Sequence, residues 1–539
     1  MDADVKAGSN VGPVERRWLL GLSILVMLLT TIPYLAGYLV QGDGWVFTGF
    51  VFNLEDGNSY IAKMLTGAHG AWLFRTPYTT TPQDGILAFF PYLLLGKLTF
   101  PRGDHFQLVL FFHLFRFLSI VLYIVASYRF VSLFLSKRAN RRLAVVLVAL
   151  GGGLGWLLAL VGKAEWLASL PLDLISPESF GFLSLYGLPH LAVTRALFLW
   201  GLVEYLRSSR SASRGGIRAG LLWLLASFFQ PLTIAVAWAL VAAHLLALAV
   251  YEMRQSRNGD VDWANWRLRL IRAAVIVAIS SPVVVYTIFV SQFSVFMQAW
   301  TAQNTLPSPH PLHYLLAYLL FIPFIVIGAR GLLRRDFPRA VFLVAWLLVL
   351  AALVYAPVNV QRRLAEGVFT AVVILALFPF EAARPLPARW RYAFLLAFPT
   401  TLFLLAGGFL AGLKPGMPIF RPSGEIAAYR ALSALAAPDE VVLTSFEVGN
   451  NLPAWTPQRV VIGHGPESIG LAQLRPRVAA FFQVDTQDSE RIAFLGEFGV
   501  DYIFWGPLER DLGGWDPTAA PYLKPVYQSG DYTVLEVVR

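Results

Sequence analysis

Cysteine is missing from this chain of 539 residues. The protein therefore has no disulfide bond, no thiolate nucleophile and no zinc–thiolate site. Charged residues are scarce as well, at 14% against 57% hydrophobic residues, and the mean hydropathy is +0.59. This composition excludes an ordinary soluble globular protein and predicts a polytopic, all-α membrane protein.

Several signatures of soluble enzymes are missing too. The sequence contains no dinucleotide-binding glycine pattern, P-loop, HExxH zinc motif or nucleophile elbow, so a soluble sugar-nucleotide fold is not indicated. It also contains no Asn-x-Ser/Thr sequon. For a protein with large external segments, that absence favours a bacterial plasma membrane over a eukaryotic secretory membrane.

Apolar segments of bilayer length recur as far as residue 413. They predict about eleven transmembrane helices, at 18–40, 106–135, 142–161, 191–206, 219–229, 231–251, 270–293, 312–329, 340–356, 364–380 and 392–413. The two segments that flank Gln230 and Pro231 are together too long for one crossing, so we expect the proline to mark a break between two helices.

Basic residues orient these helices. The formal net charge is +10, and the basic clusters at 16–17, 137–142, 207–218, 254–272, 330–339 and 384–391 fall in alternate loops. By the positive-inside rule those loops and the N-terminus are cytoplasmic, and everything after Lys414 is extracytoplasmic. The positive charge thus serves membrane orientation, and nucleic acid is not an expected partner. The short apolar stretch 86–98 is predicted to be an interfacial helix that does not cross.

The composition changes after residue 413. Residues 414–424 form a Pro/Gly-rich linker, and 425–539 show soluble patterning. We predict helices at 425–435, 471–482 and 489–498, strands at 441–445, 460–463 and 501–505, and a hairpin at 526–538. Alternating strands and helices indicate a small extracytoplasmic α/β domain that follows a transmembrane domain, 1–413.

The first external loop, 41–105, is too elaborate for a connector. It contains an acidic pair, Glu55 and Asp56, then an amphipathic run that we expect to lie in the membrane interface with Lys63 snorkelling, and glycine stops at Gly67 and Gly70. The acidic pair has two compatible interpretations. It caps the helix, or it faces an external site where a carboxylate deprotonates an acceptor or holds a divalent cation.

The residue order of this loop resembles a known family. An acidic residue is followed by Tyr-x-Ala, Met, Gly, Trp-Leu, Pro-Tyr and an aromatic and leucine-rich helix that ends in Gly. This resembles the first external loop of the lipid-dependent C-type glycosyltransferases, which include the lipid A aminoarabinose transferases and the protein O-mannosyltransferases. The resemblance implies that Asp56 is the catalytic or metal-binding carboxylate, with Glu55 beside it. The family's D-x-D or E-x-D form is absent, because the two acids are adjacent.

Other charged groups near the ends of predicted spans are candidates for the same site. Arg362 and Arg363 break the positive-inside pattern and suit a donor phosphate; the alternatives are snorkelling, or pairing of Arg362 with Glu366. Arg116 resembles an arginine that aminoarabinose-transferase-like members carry after the first loop, and its alternative is a buried ion pair with an acid.

The second external loop, Glu165–His190, supplies further candidates. Glu178 occupies a loop in which the resembling family often has a second acidic site, and with Asp56 it is a candidate ligand for Mg²⁺ or Mn²⁺. His190 lies at a helix mouth, where a hydrogen-bonded structural role is the alternative to a base. In the tail, His464 between two glycines, with Glu467 nearby, is interpreted as a packing device in preference to a binding site.

The resemblance therefore implies an inverting glycosyltransferase that works at the outer membrane surface. The resemblance implies a polyprenyl-phosphate-linked sugar as donor, whereas the acceptor, a glycan, lipid or protein, is left open. The alternative is a non-enzymatic carrier of the flippase type, or an inactive scaffold with the same fold. A carrier needs a polar site at the membrane midplane, and only the Gln230-Pro231 break resembles one.

Overall fold

The computed structural model describes residues 12–99, 103–207, 212–255, 262–381 and 384–538. The chain divides into two compact units. The first consists of Met1–Thr30, Phe115–Ile288 and Leu306–Gly407, and the second of Thr31–Leu114, Phe289–Thr305 and Gly408–Arg539. Parts of two basic loops predicted to be cytoplasmic, 208–211 and 256–261, lie outside the described residues.

Helices dominate the chain as far as residue 412. They are α1 (Pro13–Val40), α2 (Leu54–Ala68), α3 (Phe90–Lys97), α4 (His105–Val131), α5 (Arg138–Leu150), α6 (Trp156–Leu160), α7 (Leu172–Ile175), α8 (Gly181–Gly187), α9 (Pro189–Arg207), α10 (Ala212–Ser227), α11 (Pro231–Gln255), α12 (Trp263–Phe293), α13 (Val295–Gln303), α14 (Pro311–Tyr318), α15 (Ile322–Arg335), α16 (Phe337–Leu353), α17 (Val368–Leu377) and α18 (Pro399–Gly412). Short 3₁₀ helices occupy Gln361–Ala365, Phe378–Phe380 and Ala388–Ala397.

The tail combines helices and strands. Its helices are α19 (Ser423–Leu435), α20 (Phe446–Asn451), α21 (Leu471–Phe481), α22 (Asp488–Phe498) and α23 (Pro507–Gly513). The strands of the whole chain are β1 (Trp45–Phe47), β2 (Phe420–Pro422), β3 (Val441–Leu443), β4 (Arg459–Val460), β5 (Tyr502–Trp505), β6 (Leu523–Ser529) and β7 (Tyr532–Val537).

Six helical segments of the described chain are long and apolar enough to cross a bilayer. They are α1, α4, α11, α12, Gln361–Phe380 and Ala388–Gly412, and a seventh span arises if α14 and α15, which are bent by 76°, count as one broken crossing. The predicted count of eleven is therefore not confirmed, although the membrane class is. The span Gln361–Phe380 is almost wholly covered by protein.

Local breaks explain part of this difference. The predicted span 142–161 is interrupted where α5 ends at Leu150, because three consecutive glycines follow and glycine is costly inside a helix.

The predicted break at Gln230-Pro231 is confirmed, since α10 ends at Ser227 and α11 begins at Pro231. The stretch 86–98 contains only the eight-residue α3, about 12 Å long, which is too short to cross.

In the second unit, α2 and α3 pack very closely. A Cβ atom at Gly67 would collide with the carbonyl of Leu93, and one at Gly96 would collide with the carbonyl of Met64. The prediction that Gly67 stops the helix is therefore wrong: it lies inside α2, where it permits close packing. The stop comes at Gly70, whose φ of +102° suits glycine.

The tail forms the predicted α/β arrangement. Its five-stranded sheet has the order β4-β3-β5-β7-β6; β3 pairs in parallel with β4 and β5, and β7 pairs antiparallel with β5 and β6. The predicted helices and strands are present with small shifts at their ends, but the short helices α20 and α23 were not predicted.

The tail and the first external loop share structure within the second unit. Strand β2, inside the predicted linker, pairs antiparallel with β1, which precedes α2. Ala62 of α2 and Tyr78 of the loop belong to a hydrophobic cluster otherwise formed by tail residues, and the Val460 amide donates to the Pro77 carbonyl at 2.8 Å. The domain boundary at 414–424 stays a prediction, but the tail and loop fold against each other.

Candidate functional site

The acidic pair lies in the first turn of α2. Asn53, in the left-handed conformation, occupies the N-cap position without a side-chain cap hydrogen bond. Its Nδ2 instead donates to Asp56 Oδ2 at 2.8 Å. Glu55 and Asp56 therefore follow the cap position, where a negative charge still interacts favourably with the helix dipole.

His464 of the tail contacts Asp56. Its Nε2 lies 3.2 Å from Asp56 Oδ1. The Asp56 side chain is 44% exposed, whereas the His464 side chain is only 5% exposed. Because an ionised carboxylate can only accept hydrogen bonds, the imidazole is the donor in this contact. The contact joins a half-exposed carboxylate to a buried ring that supports it from the protein side.

Glu467 lies behind the imidazole at the centre of a buried polar cluster. His464 Nδ1 is 3.5 Å from Glu467 Oε1, outside hydrogen-bond geometry. Ser59 donates to Glu467 Oε1 at 2.7 Å and Thr76 donates to Oε2 at 2.6 Å. Lys63 forms an ion pair with Glu467, and both side chains are at most 2% exposed.

The charges in this cluster balance. Burial alone would raise the pKa of Glu467, but the Lys63 ammonium, then His464, and hydrogen bonds from Lys63 and Thr76 outweigh burial, so its pKa is lowered below the ordinary 4.5. The predicted snorkelling of Lys63 is therefore wrong. An amphipathic helix face indicates that something apolar covers it, and here the cover is protein instead of lipid.

Glu55 and its neighbours attach the same turn of α2 to the tail. Glu55 Oε1 accepts from the Gly465 amide at 2.8 Å. Asn58 Nδ2 donates to Asn450 Oδ1 at 2.8 Å, and the hydroxyl of Tyr78 donates to the Asn450 carbonyl at 3.1 Å. Burial raises the pKa of Tyr78, and the negative charges of Glu467, Glu55 and Asp56 raise it further, so this hydroxyl is a donor at neutral pH.

Sequence reasoning missed the roles of His464 and Glu467. The glycines on either side of His464 were noticed, but they suggested only packing. Gly463 does have a packing role, because a Cβ atom at this position would collide with the backbone of Gly449. The contact of His464 with Asp56, however, joins residues 408 positions apart in the chain, and no local pattern indicates it.

The first unit contains the other predicted residues. Arg362 and Arg363 lie on the 3₁₀ helix Gln361–Ala365. The suggested pairing of Arg362 with Glu366 is wrong, because Glu366 pairs with Arg195 at 2.5 Å and both side chains are 1% exposed. Arg195 also donates to the carbonyls of Pro177, at 2.6 Å, and Glu178, at 3.2 Å. This pair joins the second external loop to the turn that carries the two arginines.

The remaining candidates of the first unit are buried or partly buried. The side chain of Glu178 accepts a hydrogen bond from Ser176 at 3.4 Å. Arg116 is wholly buried and donates to Thr30 Oγ1 at 2.6 Å, while the partly buried His190 lies in the first turn of α9. Convergence of these residues with Asp56 in one cavity stays a prediction.

A divalent cation also stays a prediction. Among the described residues, no cluster of three or more His, Asp or Glu side chains could hold a metal ion. Mg²⁺, however, is commonly bound by one or two carboxylates together with substrate phosphates, and Asp56 supplies one exposed carboxylate. A cation held by Asp56 together with a substrate phosphate is therefore a hypothesis that this single carboxylate leaves open.

Comparison with known proteins gives the fold a name. No family model matches the sequence, and no curated protein sequence matches it significantly. Solved structures do match. The arabinofuranosyltransferase AftD from Mycobacteria superimposes with a TM-score of 0.58 at 15% identity, over 99% of this chain and 40% of AftD. The fold of this chain is therefore similar to that of this glycosyltransferase.

Two structures from Archaeoglobus fulgidus also have a similar fold. The oligosaccharyltransferase AglB, in complex with an inhibitory peptide and a dolichol-phosphate, has a TM-score of 0.54 at 13% identity, over 95% of this chain and 73% of AglB. The oligosaccharyltransferase tethered to an acceptor peptide has a TM-score of 0.52 at 13% identity, over 91% of this chain and 69% of that chain. The resemblance seen in the first external loop is thus confirmed at the level of the fold.

Proposed function

We propose that this protein is an inverting glycosyltransferase that acts at the outer face of a bacterial plasma membrane, with a polyprenyl-phosphate-linked sugar as donor. In this reaction Asp56 takes the proton of an acceptor hydroxyl. The acceptor oxygen then forms a bond to the anomeric carbon, and the bond from that carbon to the phosphate oxygen breaks. The polyprenyl phosphate leaves with the electron pair, and no covalent intermediate is formed.

One observation carries this proposal: the half-exposed Asp56 carboxylate is held from one side by Asn53 and His464. An aspartate whose only role was to stabilise the start of α2 would not need a hydrogen bond from a buried imidazole of the tail. A general base must be accessible to its substrate and fixed in position, and Asp56 meets both conditions. The C-type fold supplies the context in which such a carboxylate transfers sugars.

The donor proposal draws on the first unit. AglB was solved with a dolichol-phosphate, which is a lipid phosphate of the class proposed here. In the described part of this chain, Arg362 Nε is buried and has no hydrogen-bond partner, so this guanidinium has a donor available for a phosphate oxygen. We assign donor phosphate binding to Arg362 and Arg363, with Arg116 as a third candidate.

A proteoliposome experiment tests this function against the carrier alternative. The purified protein is reconstituted with a panel of radiolabelled polyprenyl-phosphate sugars and a bacterial envelope extract as the source of acceptors, with and without a chelator. A transferase releases free polyprenyl phosphate and labels an acceptor. A carrier moves the intact lipid-linked sugar between leaflets without cleavage, and that result would overturn the proposal.

A further inference from the structure

We propose that His464 is the positioning residue for Asp56 and that the C-terminal tail thereby completes the active site. The inference rests on the proposed function, because it assigns a role within the same site. It concerns residues of the second unit only. His464 would not touch the substrate; it would act by holding the Asp56 carboxylate in the orientation that receives the acceptor proton.

The hydrogen bonds on Asp56 fix its carboxylate plane. Asn53 donates to Oδ2 at 2.8 Å, and His464 donates to Oδ1 from 3.2 Å. A half-exposed aspartate would otherwise rotate about its side-chain torsions, and the terminal torsion of aspartate is broad. One donor on each oxygen sets that torsion, while the exposed part of the side chain remains accessible to an acceptor. Asn53 is local to α2, whereas His464 comes from the tail.

The imidazole is itself held rigidly. Ser468 Oγ accepts from the amides of Gly463, at 2.9 Å, and His464, at 3.1 Å, so the backbone that carries the ring is tied to Ser468. Gln303 of α13 fastens this turn further. Its Nε2 donates to the Ser468 carbonyl at 2.9 Å, and its Oε1 accepts from the Gly470 amide at 3.1 Å.

Glu467 provides the electrostatic support for the ring. It is buried beside His464 Nδ1, and its own charge is neutralised by Lys63 and satisfied by the hydroxyls of Ser59 and Thr76. Because both oxygens of Glu467 have partners in this network, its carboxylate is held at a fixed position beside the ring. This degree of order exceeds what is needed to pack the tail on α2, because the hydrophobic cluster that contains Ala62 already does so.

Two variants separate positioning from packing. His464→Ala removes the donor, and His464→Gln places an amide donor near the position of Nε2. In the transfer assay with the active polyprenyl-phosphate sugar, we expect His464→Ala to lower kcat by about 10–100-fold, as misplacement of a reacting group does, with KM for the donor unchanged. We expect His464→Gln to recover most of the loss. Glu497→Gln, which breaks the exposed pair with Arg477, is the control and should retain full activity.

The other outcomes contradict the proposal. Unchanged kcat in His464→Ala would show that the contact is only packing. Equal loss in His464→Ala and His464→Gln, with both proteins folded, would show that the imidazole does more than donate one hydrogen bond. A rise in KM at constant kcat would indicate that His464 binds the donor instead of positioning the base.

Hydrogen exchange provides a readout that does not depend on activity. If His464 holds the first turn of α2, the amides of residues 54–60 should exchange at least several-fold faster in His464→Ala, and the β6–β7 hairpin should be unaffected. Unchanged exchange at 54–60 would overturn positioning. If the wild type transfers no sugar from any donor, the proposed function fails, and the exchange result alone then decides whether His464 holds this turn.

Discussion

The buried pair of Lys63 and Glu467 gives the sharpest prediction about stability. Both side chains are at most 2% exposed, and they join α2 to the tail within one compact unit. Lys63→Met keeps a similar apolar stem and removes the ammonium. Glu467 would then be a buried negative charge without its ammonium partner, with the hydroxyls of Ser59 and Thr76 as its remaining hydrogen-bond donors.

The expected cost of this change is large. Removal of one partner of a buried ion pair destabilises a protein by about 3–5 kcal/mol, because the remaining charge is uncompensated. The double variant Lys63→Met/Glu467→Gln removes both charges and keeps an amide oxygen to accept from Ser59 or Thr76. We expect it to recover most of the loss, since replacing a buried pair as a whole is often nearly neutral.

Hydrogen exchange of the reconstituted protein measures the effect where it occurs. The opening free energy of the α2 amides, residues 57–67, should fall by about 3–5 kcal/mol in Lys63→Met and return close to the wild-type value in the double variant. Glu497→Gln, which breaks an exposed pair in the same tail, should leave these amides unchanged. A single Lys63→Met variant with wild-type protection of α2 would refute the buried-pair reasoning.

Further predictions concern the same network, the first unit and the topology. The pKa of Glu467 is lowered in the folded state. Its stabilising contribution is therefore present above pH about 4.5, the unfolded value, and is lost as the pH falls through the folded value. Hydrogen-exchange protection of the α2 amides, measured as the pH is lowered, should show this loss in the wild type and not in a Glu467→Gln variant. Glu366→Gln leaves the buried Arg195 without its anionic partner, so we expect a stability loss of about 3–5 kcal/mol. This loss should lower the thermal unfolding midpoint of the protein in detergent, and an unchanged midpoint would contradict it. Truncation at Lys414 removes β2 and the tail residues that cover α2, so protease should cut the first external loop of the truncated protein while its membrane helices stay protected; an intact loop would contradict the shared core. A reporter fused after Arg539 should be extracytoplasmic, and a cytoplasmic signal would mean that the number of crossings is even.

The Asp56 side of the site was predictable from the sequence because it depends on local order. The acidic pair, the amphipathic run and the Pro-Tyr segment all fall within one loop, and their spacing places the acids at the start of a helix. The tail was predictable for a similar reason, since its alternating strands and helices have clear local patterns.

The support behind Asp56 was not predictable, because it depends on distant contacts. His464 lies 408 positions from Asp56, and Glu366 lies 171 positions from Arg195. A single sequence gives the charge of each residue but not the partner that neutralises it. The same limit explains the error about Lys63, because helical periodicity shows which face is covered and not what covers it.

The predicted number of crossings was not confirmed, and part of the reason is physical. Hydropathy measures how apolar a segment is, whereas crossing a bilayer also requires an unbroken helix of about 20 residues. The glycines after Leu150 and the 76° bend between α14 and α15 interrupt segments that look continuous by composition.

The most direct test of the central claim compares sugar transfer by the wild type and by Asp56→Asn. The asparagine keeps the size of the side chain, and its single carbonyl oxygen can still accept a hydrogen bond from either Asn53 or His464, but it cannot take the acceptor proton. We expect the variant to fold, to bind the polyprenyl-phosphate sugar normally, and to release polyprenyl phosphate about 10²–10⁴-fold more slowly, the range for loss of acid–base catalysis. Full transfer activity in Asp56→Asn would contradict the proposed role of this carboxylate.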